Sequence, residues 1–180
     1  PSRNRVARIT PAQIRQAIHS RNTALLNEIA THRRLPGHDV LYISDDTQNH
    51  GLCLRAKQYL PPTGHKERGL CEYTGTERKI PPNEHINSVP LQQLMYGCEY
   101  TRDGQLYRKS PDQDLQSLLR YMQAPQPGEE PTCRLVVEKE SSTYTRISLW
   151  LCKPLQPHEE LTIEYGGPYW QIFWHHMNTD

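Results

Sequence analysis

The sequence predicts a β-rich α+β fold with one amino-terminal helix, and three observations carry that expectation. From His38 onward, short apolar runs alternate with clusters of turn-forming residues, the mark of short strands joined by tight connections. Sustained helical spacing of apolar residues is found in the first third of the chain. The 180 residues, 35% of them apolar, suffice for one buried core, and the 15 prolines favour a loop-rich architecture over long regular elements.

The helix opens at Thr10-Pro11-Ala12-Gln13, with Thr10 as N-cap, Pro11 at the first helical position and Gln13 closing a capping box. Ile14, Ile18, Leu25 and Ile29 recur at helical spacing, so the helix is expected to run to Ala30 or Thr31 before Leu35-Pro36-Gly37 breaks it. Strands are expected at Val40–Ile43, Leu52–Ala56 and Gly69–Tyr73, separated by turn chemistry at Asp45-Asp46, Asn49-His50-Gly51 and Pro61-Pro62-Thr63-Gly64. Across residues 83–130 the pattern gives a short helix near Leu91–Met95, a hairpin turn at Arg102-Asp103-Gly104 and a helical stretch near Leu115–Met122. Pro125-Gln126-Pro127-Gly128 ends that region. Three more strands, near Cys133–Glu138, Thr145–Cys152 and Leu161–Tyr165, lead to the aromatic run Tyr169-Trp170-Gln171-Ile172-Phe173-Trp174. The chain thus divides into a helical flank at 1–37, a β-rich body at 38–170 and an aromatic tail at 171–180. No repeat or heptad array is present, which excludes solenoids and coiled coils.

Net charge is only +1, but residues 1–36 carry Arg3, Arg5, Arg8, Arg15, Arg21, Arg33 and Arg34 against the single acid Glu28. That flank suits either contact with nucleic acid or an acidic protein surface, or simply a solvated helix face. The five cysteines have no C-x-x-C spacing, which argues against a zinc knot or a disulfide framework and for a reducing compartment. The nine histidines show no ligand spacing, so no metal is expected. No apolar run approaches the roughly 20 residues that cross a bilayer, and no charged-then-apolar leader opens the chain. A soluble intracellular protein, or a piece of a longer one, is the expectation. Phosphate loops, serine nucleophile elbows and dinucleotide fingerprints are missing from the sequence.

The most chemically suggestive segment is Glu159-Glu160-Leu161-Thr162-Ile163-Glu164-Tyr165-Gly166-Gly167-Pro168-Tyr169-Trp170. Leu161 and Ile163 alternate with Thr162 and Glu164 at the period of a half-buried strand, and the glycines and proline then stop it. Tyr165 is placed at a strand end, where its ring and hydroxyl suit the wall of a narrow channel around an amine, or a core position beside a turn.

In this order, the chain from about Asp39 to Tyr169 resembles a SET domain, the fold of many protein lysine methyltransferases. Gly51-Leu52-Cys53-Leu54-Arg55-Ala56-Lys57 with Leu60-Pro61-Pro62 is similar to the family's opening glycine motif. Glu72-Tyr73-Thr74-Gly75, Leu119-Arg120-Tyr121-Met122-Gln123 and Pro157-His158-Glu159-Glu160-Leu161-Thr162-Ile163-Glu164-Tyr165-Gly166 match three later motifs. Cys53 stands where the family has its second glycine, and Gln123-Ala124-Pro125-Gln126 where it has asparagine-histidine-serine-cysteine. At that point the sequence resembles PR-type SET domains more closely, through Arg120-Tyr121 with Ala124 and the spacing from Tyr165-Gly166 to Tyr169.

The resemblance implies several small curved sheets with a carboxyl-terminal pseudoknot. It implies S-adenosylmethionine as cofactor, held by Gly51, Leu52, Cys53, Arg120, Tyr121, Gln123, Ala124 and Trp170, and Tyr165, Tyr73 and Tyr107 (or Tyr100) as aromatic residues lining a lysine channel. Trp170, Phe173 and Trp174 would then cover that channel or cap the core. The partner it implies is a basic lysine-containing peptide such as a histone tail, in the nucleus, received by acidic surface outside the first 36 residues. Two functions stay open: a protein (histone) lysine methyltransferase, or a catalytically silent SET-like module that binds a partner or chromatin. Cys53 and Gln123-Ala124-Pro125 favour the silent module; Tyr165 and Glu72-Tyr73-Thr74-Gly75 favour the enzyme.

Overall fold

The structure, a computed structural model, describes residues 6–46, 51–64, 68–85, 88–89, 97–111, 115 and 117–164. The capping box forms as the sequence predicts: Gln13 N donates to Thr10 Oγ1 at 3.2 Å while Thr10 N donates to Gln13 Oε1 at 2.8 Å, opening α1 (Pro11–His19). The expected single helix is, however, two. Arg21 turns to φ +55°, and Asn22 Oδ1 accepts from Leu25 N at 3.2 Å to start α2 (Thr23–His32). Asn22 offers the backbone a second N-cap, which competes with continuation of the first helix. Ile14 and Ala17 of α1 and Leu26, Ile29 and Ala30 of α2 share one core with Leu41, Ile43, Leu54, Leu118, Leu149 and Leu161.

Among the described residues, eight strands follow in three small antiparallel sheets. In the first, β1 (Leu41–Asp46) pairs with β2 (Gly51–Ala56), from Leu41↔Ala56 to Asp46↔Gly51. The Asn27 carboxamide of α2 closes the outer edge of β1: Nδ2 donates to Ile43 O and Oδ1 accepts from Ile43 N, both at 2.8 Å. A side-chain amide thus does the work of a neighbouring strand. The second sheet has the order β3 (Cys71–Glu72), β8 (Thr145–Leu151), β7 (Cys133–Lys139). The third has the order β4 (Thr76–Lys79), β6 (Gln105–Ser110), β5 (Cys98–Arg102). Its β5–β6 hairpin turns at Asp103-Gly104, as the sequence predicts, with φ of +52° and +78°.

The middle of the chain departs most from expectation. The stretch expected to be helical near 115–122 is a four-residue 3-10 turn, Leu118–Tyr121, because Leu115 stands at φ +58° and Ser117 caps the turn through Leu119 N. The helix expected near Leu91–Met95 lies outside the described residues. Strand β4 was not expected at all, since Thr-Glu-Arg-Lys shows no apolar alternation.

The third sheet is held by charge. Buried Arg102 takes both carboxylate oxygens of Glu77, at 2.9 and 3.0 Å, and donates to Thr145 Oγ1 of β8 at 3.1 Å. Lys109 Nζ donates to Thr145 O at 2.8 Å beneath the Tyr144 ring, and Arg108 bridges Glu84 and Glu99 at 2.9 and 2.8 Å. The two bonds to Thr145 join the third sheet to the second. Burial pulls Lys109 below its ordinary pKa, while the Arg102 hydrogen bonds hold Glu77 below its own.

Two outcomes follow from this packing. A Cβ on Gly75 would lie 2.5 Å from Ser110 O, backbone that cannot yield cheaply. Gly75→Ala should therefore cost about 1–3 kcal/mol in urea denaturation; an unchanged midpoint would contradict the close approach. Because Glu77 titrates below its ordinary 4.5 in the folded state, its contribution is present above that pH and fades as pH falls through the folded value. Glu77→Gln should lower the melting temperature at pH 7 and flatten its decline in acid; an unaltered acid limb would show that the pair contributes nothing.

Candidate functional site

The chain from His158 to Ile163 threads between three parts of the fold. His158 N donates to Ala56 O at 2.7 Å, Ala56 N to Glu159 O at 3.0 Å and Leu161 N to Leu54 O at 2.8 Å, so this segment lines the free edge of β2. Ile163 N then donates to Gln123 O at 2.9 Å, and Cys133 N of β7 to Thr162 O at 3.0 Å. Bridges at Arg55↔Glu160, Gln123↔Thr162 and Cys133↔Ile163 mark the three contacts; no continuous strand is formed over the described part of the stretch expected at Leu161–Tyr165. Leu161 and Ile163 are buried as the alternation predicts. Thr162, expected outside, is buried as well, because its N–H and hydroxyl meet the Thr132 hydroxyl and amide at 2.8 and 3.1 Å.

This threading gathers several residues that the sequence singles out. Gln123 Nε2 donates to Leu52 O at 2.7 Å, tying the end of the 3-10 turn to the glycine-opened strand. Gly51 begins that strand at φ +85°, a conformation open to glycine. Cys53 is fully buried near Arg55, and burial raises its thiol pKa. Arg120 and Tyr121 are buried in the 3-10 turn, the guanidinium carbon 5.8 Å from the Tyr121 ring centre, while Ala124 is half-buried. Leu52 and Gln123 are therefore brought together, while Tyr165 and Trp170 lie outside the described residues.

The other two tyrosines belong to other sheets. Tyr73 is buried in the core, its N–H donating to Ile147 O at 2.7 Å. Tyr107 lies in the third sheet, stacked on Tyr100 at 6.1 Å with the Arg102 guanidinium 4.3 Å from its ring centre. Its ring is thus engaged in the charged network described above.

Two features escaped the sequence reading. One is an open groove of about 700 Å³ beside Arg55, rimmed by Glu129, Glu130, Glu159 and Glu160, with His158 held by Tyr42 through Nδ1 at 2.8 Å. The other is the Arg21 guanidinium, which lies against Gly51. Neither leaves a local signal, since Arg21 and Gly51 lie 51 − 21 = 30 positions apart and the groove joins Arg55 to two distant segments at Glu129-Glu130 and His158-Glu159-Glu160. Among the described residues no three His, Cys, Asp or Glu gather as a metal site, and no helix is long and apolar enough to cross a membrane.

A solved structure has a similar fold. A crystal structure titled as CpSET8 from Cryptosporidium matches with a TM-score of 0.52 over 81% of this chain, at 14% sequence identity. The fold is SET-like. This chain spans 65% of the length of that one. No protein-family model and no curated protein matches the sequence.

Within this SET-like fold the Gln123 side chain acts as a strap on β2. Gln123→Leu removes one partly buried hydrogen bond and should cost about 1 kcal/mol in chemical denaturation; a stability equal to wild type would mean that water replaces the strap without loss.

Proposed function

We propose that this domain is an S-adenosylmethionine-dependent methyltransferase acting on a lysine amine of a protein. The observation that carries the reading is the bond from Gln123 to Leu52, beside the segment that leads into Tyr165. The residues assigned to such a cofactor lie together in part: Gln123 holds Leu52, next to Gly51, whose φ of +85° suits glycine. The Cys53 side chain is buried. When bound, S-adenosylmethionine would supply an electrophilic methyl group.

The rest of the chemistry falls to the protein. A lysine amine with a pKa of about 10.4 is mostly charged in water, so the site must favour the neutral form, exclude water and align the nitrogen. Tyr165 is the residue assigned to orient the amine, and Tyr73 a more distant wall. The glutamate rim at 129, 130, 159 and 160 supports a basic peptide as partner, a histone tail in the nucleus being the natural candidate. The amino-terminal arginines suit an accompanying chromatin contact. Arg120-Tyr121 with Ala124 supports a PR-type member, and the carboxyl-terminal segment is read as the start of the family's pseudoknot.

One observation favours the second reading, a silent interaction module: the Gln123 amide, at the family's asparagine position, is spent on Leu52 O. Calorimetric titration with S-adenosylmethionine and with its demethylated product separates the two. Saturable micromolar binding, with Tyr165→Phe depressing transfer to lysine peptides about 10-fold or more at unchanged melting temperature, is the expected result. A folded domain that binds neither compound, with or without peptide, would make the silent module the better account.

A further inference from the structure

Thr132 and Thr162 hold each other by a reciprocal pair of hydrogen bonds. Thr162 N donates to Thr132 Oγ1 at 2.8 Å, and Thr132 N donates to Thr162 Oγ1 at 3.1 Å. Each hydroxyl thus takes the place that a backbone carbonyl has in a regular ladder. The carbonyls serve other amides: Thr162 O accepts from Cys133 N at 3.0 Å and Thr132 O from Cys152 N at 2.8 Å. Both threonines are buried, with 7% and 8% of their surface exposed, and an N–H left without an acceptor there is costly.

The pair stands at the head of a chain of contacts that ends on β2. Ile163, the next residue after Thr162, donates its N–H to Gln123 O at 2.9 Å, beside the parallel bridge between Gln123 and Thr162. Gln123 Nε2 in turn donates to Leu52 O at 2.7 Å. At the other end, Thr132 directly precedes β7 and is fixed by Cys152, the residue that follows β8. The second sheet is thus the anchor. Thr132 is where it sets the register of a segment that forms no continuous strand of its own over the described residues.

We infer that Thr132 and Thr162 are positioning residues for the contact between Gln123 and Leu52: their reciprocal bonds set where Ile163 holds Gln123, and so where Gln123 holds Leu52. This rests on the methyltransferase reading above and deepens it, because Gln123 and Leu52 are among the residues assigned to the cofactor. Neither threonine has to touch a ligand; a supporting contact acts through the placement of the groups it holds. Thr132→Val fills nearly the same space but takes the acceptor from Thr162 N, and Thr132→Ser keeps it.

The test has two readouts. In the ligand-free domain, hydrogen exchange followed by NMR should quicken about 10-fold at the Ile163 amide and the Gln123 carboxamide in Thr132→Val, and stay near wild type in Thr132→Ser. In calorimetric titration with the demethylated cofactor product, the valine variant should bind about 10-fold more weakly and the serine variant as wild type does. Glu77→Gln, which removes an ion pair from the third sheet, should leave that affinity unchanged. An equal loss in Glu77→Gln would reduce the threonine effect to general destabilisation and overturn the inference, as would unchanged exchange or unchanged affinity in Thr132→Val. Those results leave the methyltransferase reading in place, whereas wild type that binds neither this compound nor S-adenosylmethionine would overturn both. Thr162→Val, which takes the acceptor from Thr132 N, repeats both readouts should Thr132→Val fail to fold.

Discussion

The segment from His158 to Ile163 is the constraint on which the rest of this molecule depends. It has little regular structure of its own, yet its backbone bonds to β2 through Ala56 and Leu54, to the end of the 3-10 turn through Gln123 and to β7 through Cys133. Each of those partners belongs to a different part of the fold. Leu161 and Ile163 bury their side chains in the common core, and Thr162 satisfies its polar groups on Thr132. Buried backbone groups must find partners, and here the pairing draws the first and second sheets around a single strand of chain. Beside that pairing, the Gln123 side chain holds Leu52.

A second constraint works at the other side of the second sheet. Arg102 and Lys109 reach Thr145 from the third sheet, and Glu77, Tyr100 and Tyr144 surround them. A polar junction of this kind is directional, since each donor has one acceptor at the right distance, whereas an apolar interface of the same area would tolerate sliding. It gives the small third sheet a defined seat although that sheet contributes few apolar side chains to the core.

These two constraints explain what the sequence disclosed. The cap at Thr10, the hairpin at Asp103-Gly104 and the apolar strands β1, β2, β7 and β8 were legible because local backbone chemistry and hydropathy decide them. Strand β4 was hidden because its partners are charges, and hydropathy cannot register an arginine buried against a glutamate. The break at Arg21-Asn22 was hidden because apolar spacing continues through it from Ile18 to Leu25. In the candidate site, the linear motifs around Gly51, Gln123 and Leu161 were readable, but the approach of Arg21 to Gly51 arises only when α1 and α2 pack beside the first sheet. Tyr107, expected as a further aromatic wall, stacks on Tyr100 with the Arg102 guanidinium over its ring, an arrangement that no local sequence pattern announces.

The central claim is that the free edge of β2 and the threaded carboxyl-terminal segment form one ligand-responsive unit. Amide hydrogen exchange with and without the demethylated cofactor product tests it most directly. The account predicts slowed exchange that appears together in residues 51–56, at Gln123 and in residues 159–163. Protection confined to other parts of the chain, or an exchange pattern that the compound leaves unchanged, would contradict it.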